Sequence, residues 1–92
     1  MTARPRKRSL TLHGHATSVS LEDAFWDAFR QIAIEDGLSV NALAAQVDEA
    51  RGLEVGLATA IRLFVLSHTQ EALARARSQV QVTADDISKP PL

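Results

Sequence analysis

The chain contains no cysteine, which excludes disulfides and thiolate metal sites and fits a reducing compartment. No apolar run approaches the roughly 20 residues that cross a bilayer, and no apolar signal-peptide core follows the basic N-terminus, so the sequence reads as soluble and cytoplasmic. It has no nucleophile elbow, no glycine-rich phosphate loop and no metal-ligand set, so neither an enzyme nor a cofactor-dependent protein is expected. Internal repeats and low-complexity segments are missing as well. A chain of 92 residues forms one small domain that buries a modest share of its surface, and without disulfide or metal the remaining source of stability is a partner chain.

Charge is present but unevenly placed. The net charge is -1, yet residues 1–8 carry Arg4, Arg6, Lys7 and Arg8 with no acid, which leaves six basic against eleven acidic residues, a net -5, for residues 9–92. The body is acidic and its leading arm basic. Such an arm suits either phosphate contact, where Lys and Arg displace counterions, or plain solvation of a disordered leader.

Residues 16–26 are the stretch around which the rest is arranged. On a period of two, Thr17, Val19 and Leu21 fall on one face and Ala16, Ser18 and Ser20 on the other, the pattern of a half-buried strand. Before it, Leu10 and Leu12 alternate with polar neighbours from Arg8 onward, and His13, Gly14 and His15 interrupt. The two runs make either a hairpin around a three-residue loop or one bent strand. Glu22 and Asp23 place negative charge where a helix begins. Helix A then runs to about Asp36 with Phe25, Phe29 and Ile32, beside Trp26 and Ala33, facing a core; Asp27, Arg30, Gln31 and Glu35 face away.

Gly37 suits a left-handed helix end and Ser39 an N-cap for helix B, about residues 40–51, whose Val40, Leu43, Ala44 and Val47 share a face. Gly52 and Gly56 bracket a break. Helix C follows with the stripe Leu57, Ala60, Ile61, Phe64, Val65 and His68, and is expected to end near Arg77. Beyond it, residues 79–82 suggest a small strand, residues 83–86 one capped turn, and residues 89–92 a frayed end.

RSLTL from Arg8, the run from His15 through Glu22, Phe25 with Trp26, and Glu35-Asp36-Gly37-Leu38-Ser39-Val40-Asn41 between two short helices together resemble the ribbon-helix-helix family of bacterial and phage DNA-binding repressors. They are similar in particular to a small bacterial subfamily with an added C-terminal helix. The resemblance implies a mainly α fold with a short N-terminal strand or hairpin, and an intertwined homodimer in which one strand from each chain forms a ribbon that enters the DNA major groove. Carried onto this chain, it places Ala16, Ser18 and Ser20 toward bases, and Ser39, Val40 and Asn41 on a phosphate, where unpaired helix amides act as donors. Arg4, Arg6, Lys7 and Arg8 would add phosphate contacts. The corresponding division is a basic disordered arm over 1–7, the ribbon-helix-helix domain over 8–68, and the end of helix C with a tail over 69–92.

Plainer roles stand beside these. Ser18 and Ser20 are also ordinary solvent-facing strand residues, and Ala with two Ser reach a short way and discriminate bases weakly. His13 and His15 have an H-x-H spacing, but without a third ligand nearby a polar loop is the better reading and no metal is expected. His68 reads as structural, and Arg62 as an ion-pair partner of Glu54 or Asp48. The expected function is a DNA-binding transcriptional regulator acting as a homodimer. The alternative is a protein-interaction module, antitoxin-like or an adaptor dimer, that holds a protein partner through residues 70–92.

Overall fold

The computed structural model describes residues 4–88 and places side chains over residues 4–79. The two alternating runs form β1 (Arg6–Leu12) and β2 (His15–Leu21), paired antiparallel with Leu12 opposite His15 and Arg6 opposite Leu21. Of the two arrangements open to the sequence, the hairpin is the one that forms. Its loop is shorter than expected. His13 and Gly14 alone make the turn, at φ of 52° and 79°, and positive φ at both central residues matches the twist of the flanking strands. His15 is therefore a strand residue. β1 also starts two residues early, so Arg6 and Lys7 stand in a strand; residues 1–3 of the expected arm lie outside the described residues.

The inner face of the hairpin buries Leu10, Leu12, Val19 and Leu21. Thr17, on the same alternation, is instead exposed. It lies toward the turn, on an open cleft of about 330 Å³ that His15, Asp48 and Leu57 also line. α1 (Asp23–Glu35) adds Phe29, Ile32 and Ala33 to the same buried core. Phe29 is fully buried, and truncating a buried Phe to Ala costs roughly 3–5 kcal/mol.

Helix α1 ends where Gly37 takes φ 69°. The Gly37 N–H donates to Ile34 O at 3.1 Å and the Leu38 N–H to Ala33 O at 2.9 Å, the paired closure that satisfies last-turn carbonyls and requires the left-handed residue. α2 (Val40–Ala50) buries Leu43, Ala44 and Val47. After the break containing Gly52 and Gly56, α3 (Leu57–Ser88) closes the core with Ile61 and Val65. Phe64 meets Phe29 edge-on at 5.9 Å between ring centres, and His68 tilts against Phe64 at 6.1 Å.

α3 is longer than its stripe. It continues past Arg77 and through residues 79–86, in place of the expected strand and capped turn. The apolar stripe fades after His68, but no Gly or Pro occurs between Gly56 and Pro90. Residues such as Glu71, Ala72, Leu73, Ala74 and Arg75 propagate a helix without needing a core face. Every residue over 69–79 is exposed. The radius of gyration is accordingly 17.8 Å, against about 12 Å for a compact chain of this length. Residues 89–92, expected as a frayed end, lie outside the described residues.

Candidate nucleic-acid interface

The hairpin presents an outer face of Lys7, Ser9 and Thr11 from β1 with Ala16, Ser18 and Ser20 from β2, all exposed or nearly so. The register sets Lys7 opposite Ser20, Ser9 opposite Ser18, and Thr11 opposite Ala16. Ala16, Ser18 and Ser20 thus share one presented surface, as their alternation implies. Ser9 and Thr11 join that surface without having stood out in the sequence. Their signal is the same alternation running backward through Leu10 and Leu12, which has meaning only once the first run is known to be a strand.

The N-terminus of α2 lies against the turn end of this ribbon. Ser39 is its N-cap, with the hydroxyl oxygen accepting from the Ala42 N–H at 3.0 Å. Asn41 reaches sideways, and its Oδ1 accepts from the Thr11 N–H at 3.0 Å. That bond satisfies an outward amide of β1 and fixes helix and ribbon relative to each other. The Val40 and Asn41 amides occupy the first turn, where no intrahelical acceptor exists, and no acid stands in that turn.

The other end of the ribbon runs into α1 and is fastened by two arginines. Arg62 from α3 donates to both carboxylate oxygens of Glu22, at 2.9 and 3.0 Å, and to Ser20 O at 3.4 Å, with its guanidinium 6.0 Å from the Phe25 ring centre. Arg8 from β1 binds the Asp23 carboxylate and donates to Leu21 O at 3.4 Å, with its guanidinium 5.4 Å from the Trp26 ring centre. Each arginine therefore holds a carboxylate, the aromatic three residues further along, and a carbonyl at the end of β2. The second set is the first shifted by one residue. The spacing works because positions three apart share a helix face, and it explains why Phe25 and Trp26 are half-buried instead of deep in the core. The hydrogen bond from Arg62 holds the Glu22 carboxyl below its ordinary value.

These contacts reassign two residues. Arg62 pairs with Glu22, forty positions away, and not with Glu54 or Asp48; Asp48 is taken by Arg51 at 2.7 Å. Arg8, counted among the phosphate contacts for its place in the basic arm, is turned inward onto Asp23 and Trp26. Arg4, Arg6 and Lys7 remain exposed, with Arg6 at 3.9 Å from Asp23. At the turn, His13 Nε2 lies 3.7 Å from Glu49 and 3.9 Å from Asp48. Among the described residues no group of three His, Asp or Glu side chains is placed to hold a metal ion, and no helix is long and apolar enough to cross a membrane.

A two-stranded ribbon with an exposed polar face has the width that the major groove admits. Beside it, a capped helix start with unbound amides is a phosphate donor. The model of the ribbon-helix-helix domain matches residues 5–69. The chain belongs to the ribbon-helix-helix family. Ribbon-helix-helix domains are in general DNA-binding, and the matched span takes in both strands, α1, α2 and the start of α3. Among solved structures, an uncharacterized protein from Bordetella pertussis Tohama I is similar, at 36% identity and a TM-score of 0.64 over 79% of this chain. This chain spans 61% of that protein's length. No curated protein matches it.

Proposed function

We propose that this ribbon-helix-helix protein is a transcriptional regulator of the repressor type, working in the cytoplasm as a homodimer and without catalysis. The ribbon is then β1 with β2 of one chain, instead of one strand from each of two chains as the resemblance implies; its outer face enters the major groove, and the Val40 and Asn41 amides beside Ser39 take a phosphate. Arg4 and Arg6 add charge contacts from the strand's leading end. The observation that carries this reading is the hydrogen bond from the Thr11 N–H to Asn41 Oδ1, which holds a groove-sized ribbon and a helix start with free amides in one frame. The acidic body, net -5 over residues 9–92, repels a duplex outside the contact patch and favours the second reading below, but the repulsion is relieved at the ribbon's far end. Asp23 and Glu22, the carboxylates nearest the ribbon's far end, are both neutralised by arginine.

A duplex titration with the full chain at two salt concentrations tests the reading. Micromolar binding at low salt that weakens steeply with salt is expected, and no binding at low salt overturns it. Arg4→Ala with Arg6→Ala should shallow the salt slope by about 1 for each phosphate that is no longer neutralised. Sedimentation should show a dimer at low micromolar concentration; a folded monomer contradicts the homodimer.

A structural observation also favours a second reading. Leu73 is half-exposed on the part of α3 that continues beyond the core, and an apolar side chain on a projecting helix suits a protein partner engaged through residues 70–92. A pull-down comparing the full chain with one ending at residue 69 separates the two readings. Loss of a specific partner with the tail, while the full chain binds no DNA, would support the second.

A further inference from the structure

We infer that each chain carries a complete duplex-contact unit, so that a homodimer holds two separate stretches of DNA, one per chain, where a ribbon shared between two chains would hold one. The inference rests on the DNA-binding reading above and deepens it by fixing how many chains each stretch of duplex takes. A ribbon made of one strand from each chain has no groove-filling surface until two chains meet. Here both strands come from one chain, joined by the turn at His13 and Gly14 and paired along their whole length, from Arg6 opposite Leu21 to Leu12 opposite His15.

The parts that hold this unit belong to the same chain. Along the outer edge of β1, the Thr11 N–H is taken by Asn41, which also sets the α2 start against the ribbon. Along the outer edge of β2, Ser20 O accepts from Arg62 of α3 at 3.4 Å, and the same guanidinium grips Glu22. Beneath the ribbon, Leu10, Leu12, Val19 and Leu21 join one buried cluster with Phe29, Leu43 and Ile61. Leu21, Phe29 and Ile61, from β2, α1 and α3, are 0% exposed within the single chain. A core closed in this way needs no partner strand or helix to hide the inner face of the ribbon. A seven-residue strand spans about 24 Å at roughly 3.4 Å per residue, the length of about seven base pairs. One helical turn of duplex, about 10 base pairs, is thus long enough for one chain.

The first test counts duplexes. The full chain is mixed at low salt with a molar excess of a duplex of about 10 base pairs, and the mass of the complex is read by sedimentation. One duplex per chain is expected, hence two on a dimer. One duplex per two chains means a shared contact surface, and the inference is wrong while DNA binding stands. Binding to longer duplexes alone overturns it likewise, since one chain's surface is then not sufficient. A chain that binds no duplex of any length removes the DNA reading and this inference together. The second test reads the ribbon itself and needs no DNA. Because the chain has no cysteine, Ser9→Cys with Ser18→Cys sets its only two thiols opposite each other. Mild oxidation of the folded variant at low micromolar concentration should close a disulfide within one chain, which runs as a monomer on a denaturing gel without reductant. A disulfide between chains as the main product shows β1 pairing with another copy's β2 and overturns the inference. Thr11→Cys with Ala16→Cys, another facing pair, gives the same readout if circular dichroism shows that the first variant does not fold. Thiols that stay free in the folded variants show that the strands are not paired in this register, and also overturn it.

Discussion

Helices α1 and α2 begin in opposite chemical states. The start of α1 carries Glu22 and Asp23, has no side-chain cap on its amides, and gives both carboxylates to arginines from β1 and α3. The start of α2 has no acid in its first turn, is capped by the Ser39 hydroxyl, and reaches the ribbon through the neutral Asn41 amide. One helix start is spent internally, tying strand and third helix to the domain. The other leaves its first amides without an intrahelical acceptor and without a neighbouring carboxylate. Two elements of similar length and burial thus differ in where carboxylates stand, and in the proposed function the second start is the one that binds.

Exchanging the character of the second start is the strongest way to break this contrast. Asn41→Asp keeps an oxygen to accept from the Thr11 N–H but adds a carboxylate beside the free amides. DNA affinity should fall by about 10-fold or more through repulsion of phosphate. Stability in the same variant should hold or rise by roughly 0.3–1 kcal/mol, because a negative charge suits a helix start. A titration paired with denaturant unfolding checks both halves, and unchanged affinity would remove α2 from the interface.

Ser39→Ala sharpens the contrast from the structural side. It should cost about 1 kcal/mol in urea unfolding through loss of the cap to Ala42. DNA affinity measured well below the midpoint should change little, because the backbone amides of Val40 and Asn41 remain.

The smallest effect concerns pH at α1. The Arg62 hydrogen bond depresses the Glu22 carboxyl below its ordinary 4.5, so its contribution to stability is fully present above that value and is lost as pH falls through the lower folded value. Arg62→Met should move the acid side of the stability profile to higher pH, read by circular dichroism between about pH 6 and 2. A profile that does not move would show the pair to be indifferent to stability, as exposed pairs often are.

The contrast is half legible in the sequence. Ser39 two residues after Gly37 is local information, since a cap and a left-handed helix end are set by neighbours along the chain, and both stand where expected. The Ala16, Ser18 and Ser20 face is readable for the same reason. Arg8 and Arg62 are not, because their partners lie 15 and 40 positions away and Arg62 has nearer acids in Glu54 and Asp48. Only the packing of α3 on the end of β2 decides between them. The hairpin hides behind His13. A non-glycine residue at positive φ is uncommon, though histidine is among those that tolerate it, and without that knowledge the loop takes in His15 as well. The length of α3 escapes the sequence because a fading apolar stripe looks like the end of a helix, whereas helix termination needs a breaker.

That long helix has a kinetic consequence. Its first turns are sealed against Phe29 and the core, while the turns over residues 69–79 are exposed on all sides. Backbone amides in the two parts should therefore exchange with deuterium on separate clocks. Those near Ile61 and Val65 should wait for the whole domain to open, and those beyond His68 should follow the fraying of a helix with little more than its own hydrogen bonds to protect it.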